Sequence, residues 1–143
     1  MQTFLPFSDF EKSARVLDNK RLGKQRVEGM QILKAVMGEK RIDGKPYKGW
    51  VNHPATKMWK PYPEALKAYT NAMIKEWVFR GYKNNMVLYD IPKKFILPDW
   101  FGDETFHSSH RSNLLRKDFK FYSQYAWKEG PDLPYFWPMN DLK

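Results

Sequence analysis

Residues 14–32 read ARVLDNKRLGKQRVEGMQI. Wound as an α-helix, this stretch places Ala14, Asp18, Arg21, Gln25, Glu28 and Ile32 at alternating steps of four and three, so all six share one face. The stripe starts apolar, is polar for two to three turns, and ends apolar. A solvated helix face has no need to bracket Asp, Arg, Gln and Glu between Ala and Ile; a buried or cleft-lining network does. Arg15, Lys20, Lys24 and Arg26 flank it, so its carboxylates sit in a positive field. That arrangement suits chemistry on an anionic substrate.

Working outward, the chain of 143 residues forms one domain, 1–143, long enough to bury a core. Lys and Arg number 25 against 16 Asp and Glu, a formal charge of +9 spread along the whole sequence and not gathered in a tail. A folded body so coated is drawn to phosphates. Aromatics reach 17%, and basic charge interleaved with aromatic rings favours nucleic acid, whose bases offer faces to stack on. Without cysteine there is no disulfide framework and no thiolate zinc site. No apolar run approaches the ~20 residues that span a bilayer, and MQTFLPFSDF lacks the pattern of a secretory signal. The expectation is a soluble, cytoplasmic monomer with no membrane contact.

Helix signals dominate. Ser8 or Asp9 caps a first helix running to about Met37, with Gly38 closing it and Gly23 a candidate bend. Segment 39–51 is a basic turn. Asn52 or His53 caps a short helix with Pro54 in its first turn, where proline is tolerated. Pro61 ends it, and Pro63 opens another that runs to Arg80 and stops on Gly81. Leu66, Tyr69, Met73 and Trp77 recur there at helical spacing and read as core. Residues 83–100 form an irregular connector. Asp103 caps a helix containing HSSHRSNLLRK, a turn follows at Asp118–Tyr125, and the chain ends in EGPDLPYFWP. The fold class is all-α: a compact helical bundle with irregular basic and aromatic loops.

Several constellations can carry chemistry. The Asp18, Arg21, Gln25, Glu28 stripe is either an intrahelical salt-bridge ladder or an active-site wall that holds a cationic intermediate or moves a proton. In HSSHR, His107, His110 and Arg111 share a face. The histidines either anchor a helix in the core or meet phosphate, and Arg111 and Arg116 favour phosphate. Asp103, His107 and His110 could face one metal ion, although their spacing matches no established metal motif. His53 is either a cap or a functional group, depending on whether the fold brings it to the stripe. The aromatics Phe119, Phe121, Tyr122, Tyr125, Trp127, Tyr135, Phe136 and Trp137 read mostly as core and lid, with wedging or stacking on bases the alternative for some of them.

In order, these features resemble the pyrimidine-dimer DNA glycosylase/abasic-site lyase family of the phage endonuclease V type. That family opens its middle helix with Gly-His, ends it in Lys-Arg-Gly-Phe, and carries Trp-Tyr-Lys-Tyr-Tyr near the C-terminus. The matching stretches here are Asn52-His53, Phe79-Arg80-Gly81-Tyr82 and Phe119-Lys120-Phe121-Tyr122. More closely, LDNKRLGKQRVE, NHPATKMW and HSSHRSNLLRKD together resemble a bacterial and phage branch named after that enzyme. The resemblance implies a base-excision enzyme acting on damaged or modified duplex DNA, without a cofactor or metal. In the implied mechanism the N-terminal α-amine attacks the sugar C1′, an imine forms, the base leaves and β-elimination nicks the strand. An α-amine suits this role because its pKa lies near 8.

Two departures matter. The family nucleophile is a Thr exposed by Met removal; here position 2 is Gln, so the amine belongs to Met1 unless Gln2 is unmasked. Aligning Arg21-Leu22-Gly23-Lys24 with the family's Glu-Leu-Pro-Arg puts Arg21 at the catalytic Glu, Lys24 at a phosphate-binding Arg, and leaves Glu28 or Asp18 as the carboxylate. The candidate catalytic set is therefore Met1, Gln2, Asp18, Arg21, Gln25, Glu28, His53, His107 and His110. The candidate DNA contacts are Arg15, Lys20, Lys24, Arg26, Arg111, Arg116 and Lys117. Lys20 or Lys24 as nucleophile, or water activated by Glu28 or Asp18, stay open. So do a non-catalytic DNA-binding module and a His- and carboxylate-dependent hydrolase of a modified nucleotide or base.

Overall fold

In the computed structural model of the chain, which describes residues 2–38, 44 and 53–138, the stretch 14–32 is not one helix. α1 spans Phe10–Val16 and α2 spans Asn19–Val36. Between them Leu17 and Asp18 are extended, with ψ of 142° and 158°. Asp9 caps α1 through Lys12 N–H, as the sequence predicts. The unforeseen break comes from Asp18, whose carboxylate accepts from Arg21 N–H and so caps α2. An Asp offered its own helix start competes with continuing the preceding helix. Tyr122 reinforces the break: its hydroxyl donates to Asp18 Oδ1 and accepts from Asp18 N–H. Gly23 makes no bend. It lies inside α2, where a Cβ would come within 3.0 Å of the Trp77 ring.

α3 spans Pro54–Trp59 and α4 spans Pro63–Phe79, each with proline in its first turn. Gly81, at φ +89°, lets the chain leave α4 in the left-handed conformation glycine alone adopts cheaply. After the connector, which holds no helix, Asp103 caps α5, Glu104–Lys117. The expected turn at 118–125 is helical: α6 spans Phe119–Tyr122 and a 3₁₀ turn covers Ser123–Tyr125. No strand occurs among the described residues. The basic turn 39–51 and the alternative cap Asn52 lie outside them, apart from Gly44. No described helix is long and apolar enough to cross a membrane.

Leu5, Leu17, Leu22, Ile32, Trp59, Leu66, Tyr69, Met73, Phe106, Leu114 and Tyr122 are fully buried and form one core cluster. α2 packs chiefly on α4. They pack tightly at Gly29, where an added Cβ would overlap Thr70 Oγ1. Thr70 cannot easily move aside, because it is buried and its hydroxyl donates to Leu66 O. Gly29→Ala is therefore expected to lower unfolding free energy by about 1–3 kcal/mol despite alanine's better helix propensity. Urea denaturation checks this; an unchanged or stabilised variant contradicts the close packing.

α5 explains its own polar sequence. Ser108 donates to Glu129, Ser112 to Gly130 O, and Asn113 to Leu133 O. Ser109 and Ser112 accept from Phe136 N–H and Leu133 N–H. These bonds strap the C-terminal segment onto the helix.

Candidate active site

The first residues of the chain run through the interior. Residues 2–6 are buried, yet no strand among the described residues pairs with them, so their backbone polar groups need side-chain partners. Gln25 supplies two: its Oε1 accepts from Phe4 N–H at 3.0 Å, and its Nε2 donates to Gln2 O at 2.8 Å. Tyr69 O–H donates toward Phe4 O and Gln25 Oε1. Leu5 is clamped by both α5 histidines. His110 Nδ1 accepts from Leu5 N–H at 2.9 Å, and His107 Nδ1 donates to Leu5 O at 2.7 Å. Because His107 Nε2 accepts from Gly102 N–H, its proton is placed on Nδ1. Arg111 Nη1 donates to Pro6 O, and the Ser13 hydroxyl bonds both Phe7 N–H and Phe7 O. Trp59 Nε1 donates to the Thr3 hydroxyl.

Beside this arm lies a pocket of about 250 Å³. Gln2 and Phe4 line it from the arm, Lys20, Arg21, Lys24, Gln25 and Glu28 from α2, and Lys117 from the end of α5. Four cations thus surround one carboxylate. Gln25, only 1% exposed, also donates from Nε2 to Glu28 Oε2 at 2.9 Å. Its amide has two hydrogens and two acceptor positions, and all are used. The same residue therefore fixes the arm and orients Glu28.

The structure gathers Gln2, Arg21, Gln25, Glu28, Lys20, Lys24 and Lys117 into this pocket. Met1 lies outside the described residues. Asp18 does not line the pocket; it holds the α2 cap, Tyr122 and Arg21. His53 caps α3 through Ala55 N–H. Burial lowers its pKa, and the positive charge of the chain's N-terminus lowers it further. His107 and His110 hold the arm. Arg111 is enclosed by Glu104, Glu129 and Pro6 O, and Arg116 by Asn113, Pro131 O and Leu133 O. Arg26 donates to Asn84 and lies 4.5 Å over the Trp77 ring. Arg15 sits in a separate hollow with Glu11, Lys75 and Glu76. No group of three metal-ligating side chains occurs among the described residues, so Asp103, His107 and His110 do not converge.

Two tyrosines that the sequence reading assigns to packing also carry polar contacts near the pocket. Tyr69 has the periodicity of core, but a buried phenol needs a polar partner, and that was the available signal. Its pKa is raised by burial and by Glu28. Tyr135 belongs to the C-terminal strap; burial raises its pKa, while Gln2, Arg116 and Arg21 act against that and Glu28 adds to it. The strap therefore reaches the neighbourhood of the pocket.

The clamp is built on neutral histidine. Burial drives His110 down to about 3 from 6.5, and His107 is lowered as well, also chiefly by burial. Burial alone would raise Glu129, but hydrogen bonds from Arg111 and Ser108 outweigh it and hold the carboxyl at about 2. In each case the unfolded chain binds the proton first on acidification. Stability is thus expected to be full above pH 6.5, to fall as the pH drops towards 3, and to fall more steeply from 4.5 towards 2. Each group adds a slope of up to about 1.4 kcal/mol per pH unit within its window. Denaturation at a series of pH values checks this; flat stability between pH 6.5 and 4.5 contradicts it.

A family model described as pyrimidine dimer DNA glycosylase matches residues 1–90. That span contains the arm, α1 to α4 and every pocket residue except Lys117. No curated protein and no solved structure matches the chain.

Proposed function

Because the chain belongs to the pyrimidine dimer DNA glycosylase family, we propose that it excises a damaged base from duplex DNA and cleaves the resulting abasic site through an imine on its N-terminal α-amine. The observation that carries this reading is the arm. This segment is threaded through the core with its backbone held by Gln25, Tyr69, His107, His110, Arg111 and Ser13, a costly ordering that carries residue 2 to the pocket. Residue 2 lines a pocket rich in cations, where a DNA backbone would bring its phosphates.

The steps assign roles to residues on that pocket. The neutral amine attacks C1′, the new N–C1′ bond replaces the bond to the base, and the base departs with a proton. The sugar ring opens as O4′ takes a proton, leaving a cationic imine. Glu28, held by Gln25, faces that developing positive charge and stabilises it. Loss of the C2′ proton then expels the 3′ phosphate. Arg21, Lys20, Lys24 and Lys117 hold the phosphates. The same cations favour the neutral form of an amine beside them by opposing its protonation.

The test is incubation with an abasic-site duplex and an ultraviolet-irradiated duplex, with and without borohydride and with no added metal. Strand cleavage and a borohydride-stable protein–DNA adduct are expected. Binding without cleavage overturns the enzymatic reading in favour of a DNA-binding module; cleavage without adduct favours water as nucleophile. A two-residue extension ahead of Met1 should abolish cleavage and leave the melting temperature nearly unchanged, since the arm's anchors from Gln2 onward are untouched. Full cleavage by the extended chain contradicts the amine's role.

A further inference from the structure

A run of hydrogen bonds leads from Tyr122 through Asp18 to Arg21, a residue of the pocket wall. Asp18 Oδ2 accepts from Arg21 N–H and Oδ1 from Arg21 Nη1, each at 3.3 Å. The Tyr122 hydroxyl donates to the same Oδ1 and accepts from Asp18 N–H at 3.1 Å. Asp18 is thus gripped at both carboxylate oxygens and at its backbone. Tyr122 is itself locked: it is fully buried, its ring stacked on Trp127 at 5.8 Å and meeting Phe121 edge-on at 4.9 Å. Burial, and after it the bond to Asp18, hold the phenol well above its usual pKa, so it stays a donor. Tyr122 also lies beyond residues 1–90, the span that the family model matches.

We propose that Asp18 and Tyr122 are positioning residues that aim the Arg21 guanidinium at the phosphate expelled when the strand is cut. The inference rests on the base-excision reading above and separates the task of Arg21 from that of the lysines around it. In the pocket Arg21 stands with Lys20, Lys24 and Lys117, and like charges drive a long side chain out towards water. Asp18 opposes that drift as the carboxylate ion-paired with Arg21. Both side chains are largely withdrawn from water, so salt screens the pair less than one on the open surface. Nη1 is the one guanidinium nitrogen bonded to a described residue. Nε and Nη2, on the other edge of the fork, are left to hold two phosphate oxygens at once, a planar grip that lysine cannot make. The lysines attract phosphate without direction. Losing the aim of Arg21 therefore slows departure of the phosphate more than it weakens binding.

Tyr122→Phe removes the hydroxyl alone. Asp18→Asn keeps an oxygen to cap α2 but loses the charge and sets an amide N–H against a donor. The readout is the single-turnover rate constant on a duplex with a preformed abasic site, with enzyme in saturating excess, so a partly unfolded preparation does not alter it. Each variant is expected to lower that constant by about 10-fold while duplex affinity, read by fluorescence anisotropy, stays within about threefold. Arg21→Gln should lower it at least as much, and adding either change to Arg21→Gln should lower it by less than about twofold more, because residues that act through one another are not additive. Effects that multiply in the double variants mark Asp18 and Tyr122 as supports of the fold alone and overturn the inference. An unchanged rate constant in both single variants, or affinity lost at an unchanged rate constant, overturns it too. Each of these results leaves the base-excision reading standing. A wild-type chain that binds abasic DNA without cutting it removes the reading and the inference together.

Discussion

Glu28→Gln is expected to cut single-turnover strand cleavage by about two orders of magnitude or more, with duplex affinity retained or raised. Among the described residues that line the pocket Glu28 is the single carboxylate, beside Lys20, Arg21, Lys24 and Lys117. Its Oε2 takes a hydrogen bond from Gln25 Nε2, and glutamine at 28 can offer a carbonyl oxygen to the same donor. The substitution thus preserves the local bond and removes only the charge. A charge that stabilises a cationic intermediate acts on the transition state and little on ground-state binding. Removing it from a basic pocket also removes repulsion toward phosphate. Quenched-flow cleavage and fluorescence anisotropy measure the two quantities. Full activity in a folded variant would reduce Glu28 to a hydrogen-bond acceptor for Gln25.

Arg111→Ala is expected to destabilise the fold by about 3–5 kcal/mol, because it strands a buried carboxylate. The Glu129 side chain is 4% exposed and takes bonds from Arg111 Nε at 3.1 Å and Nη2 at 2.9 Å. Arg111 also holds Glu104 and, through Pro6 O, the buried arm. One guanidinium therefore ties α5, the C-terminal strap and the arm together. Replacing Arg111 and Glu129 together with Met and Leu should recover much of the loss, since the carboxylate then left without its partner, Glu104, is exposed to water. Urea denaturation measures both. If Arg111 instead serves phosphate, the alanine variant will keep its stability and lose DNA affinity.

Periodicity carried most of the architecture. The helix starts at Asp9, His53, Pro54, Pro63 and Asp103, and the stop at Gly81, follow from capping and proline rules that act within a few residues. The stripe Arg21, Gln25, Glu28 kept its common face because α2 is regular there. Asp18 was misplaced inside a helix because the residue that fixes its cap, Tyr122, is 104 positions away. Tertiary distance also hid the meaning of HSSHRSN. Its histidines and serines look like phosphate or metal ligands by type, but they are spent on two segments far away in sequence, on backbone except for Ser108, which bonds Glu129. Buried polar residues on a helix signal a partner; they do not say whether it is substrate or chain. The arm was the least legible element, since MQTFLPF carries no pattern of a strand or a helix, and the backbone of residues 2–7 is held chiefly by side chains elsewhere.

Borohydride reduction of the enzyme with an abasic-site duplex, followed by proteolysis and mass spectrometry, locates the nucleophile. A deoxyribose remnant on the α-nitrogen of the N-terminal peptide, with the peptides of Lys20, Lys24 and Lys117 unmodified, is the predicted result. A remnant on any of those lysines, or cleavage with no remnant at all, contradicts it.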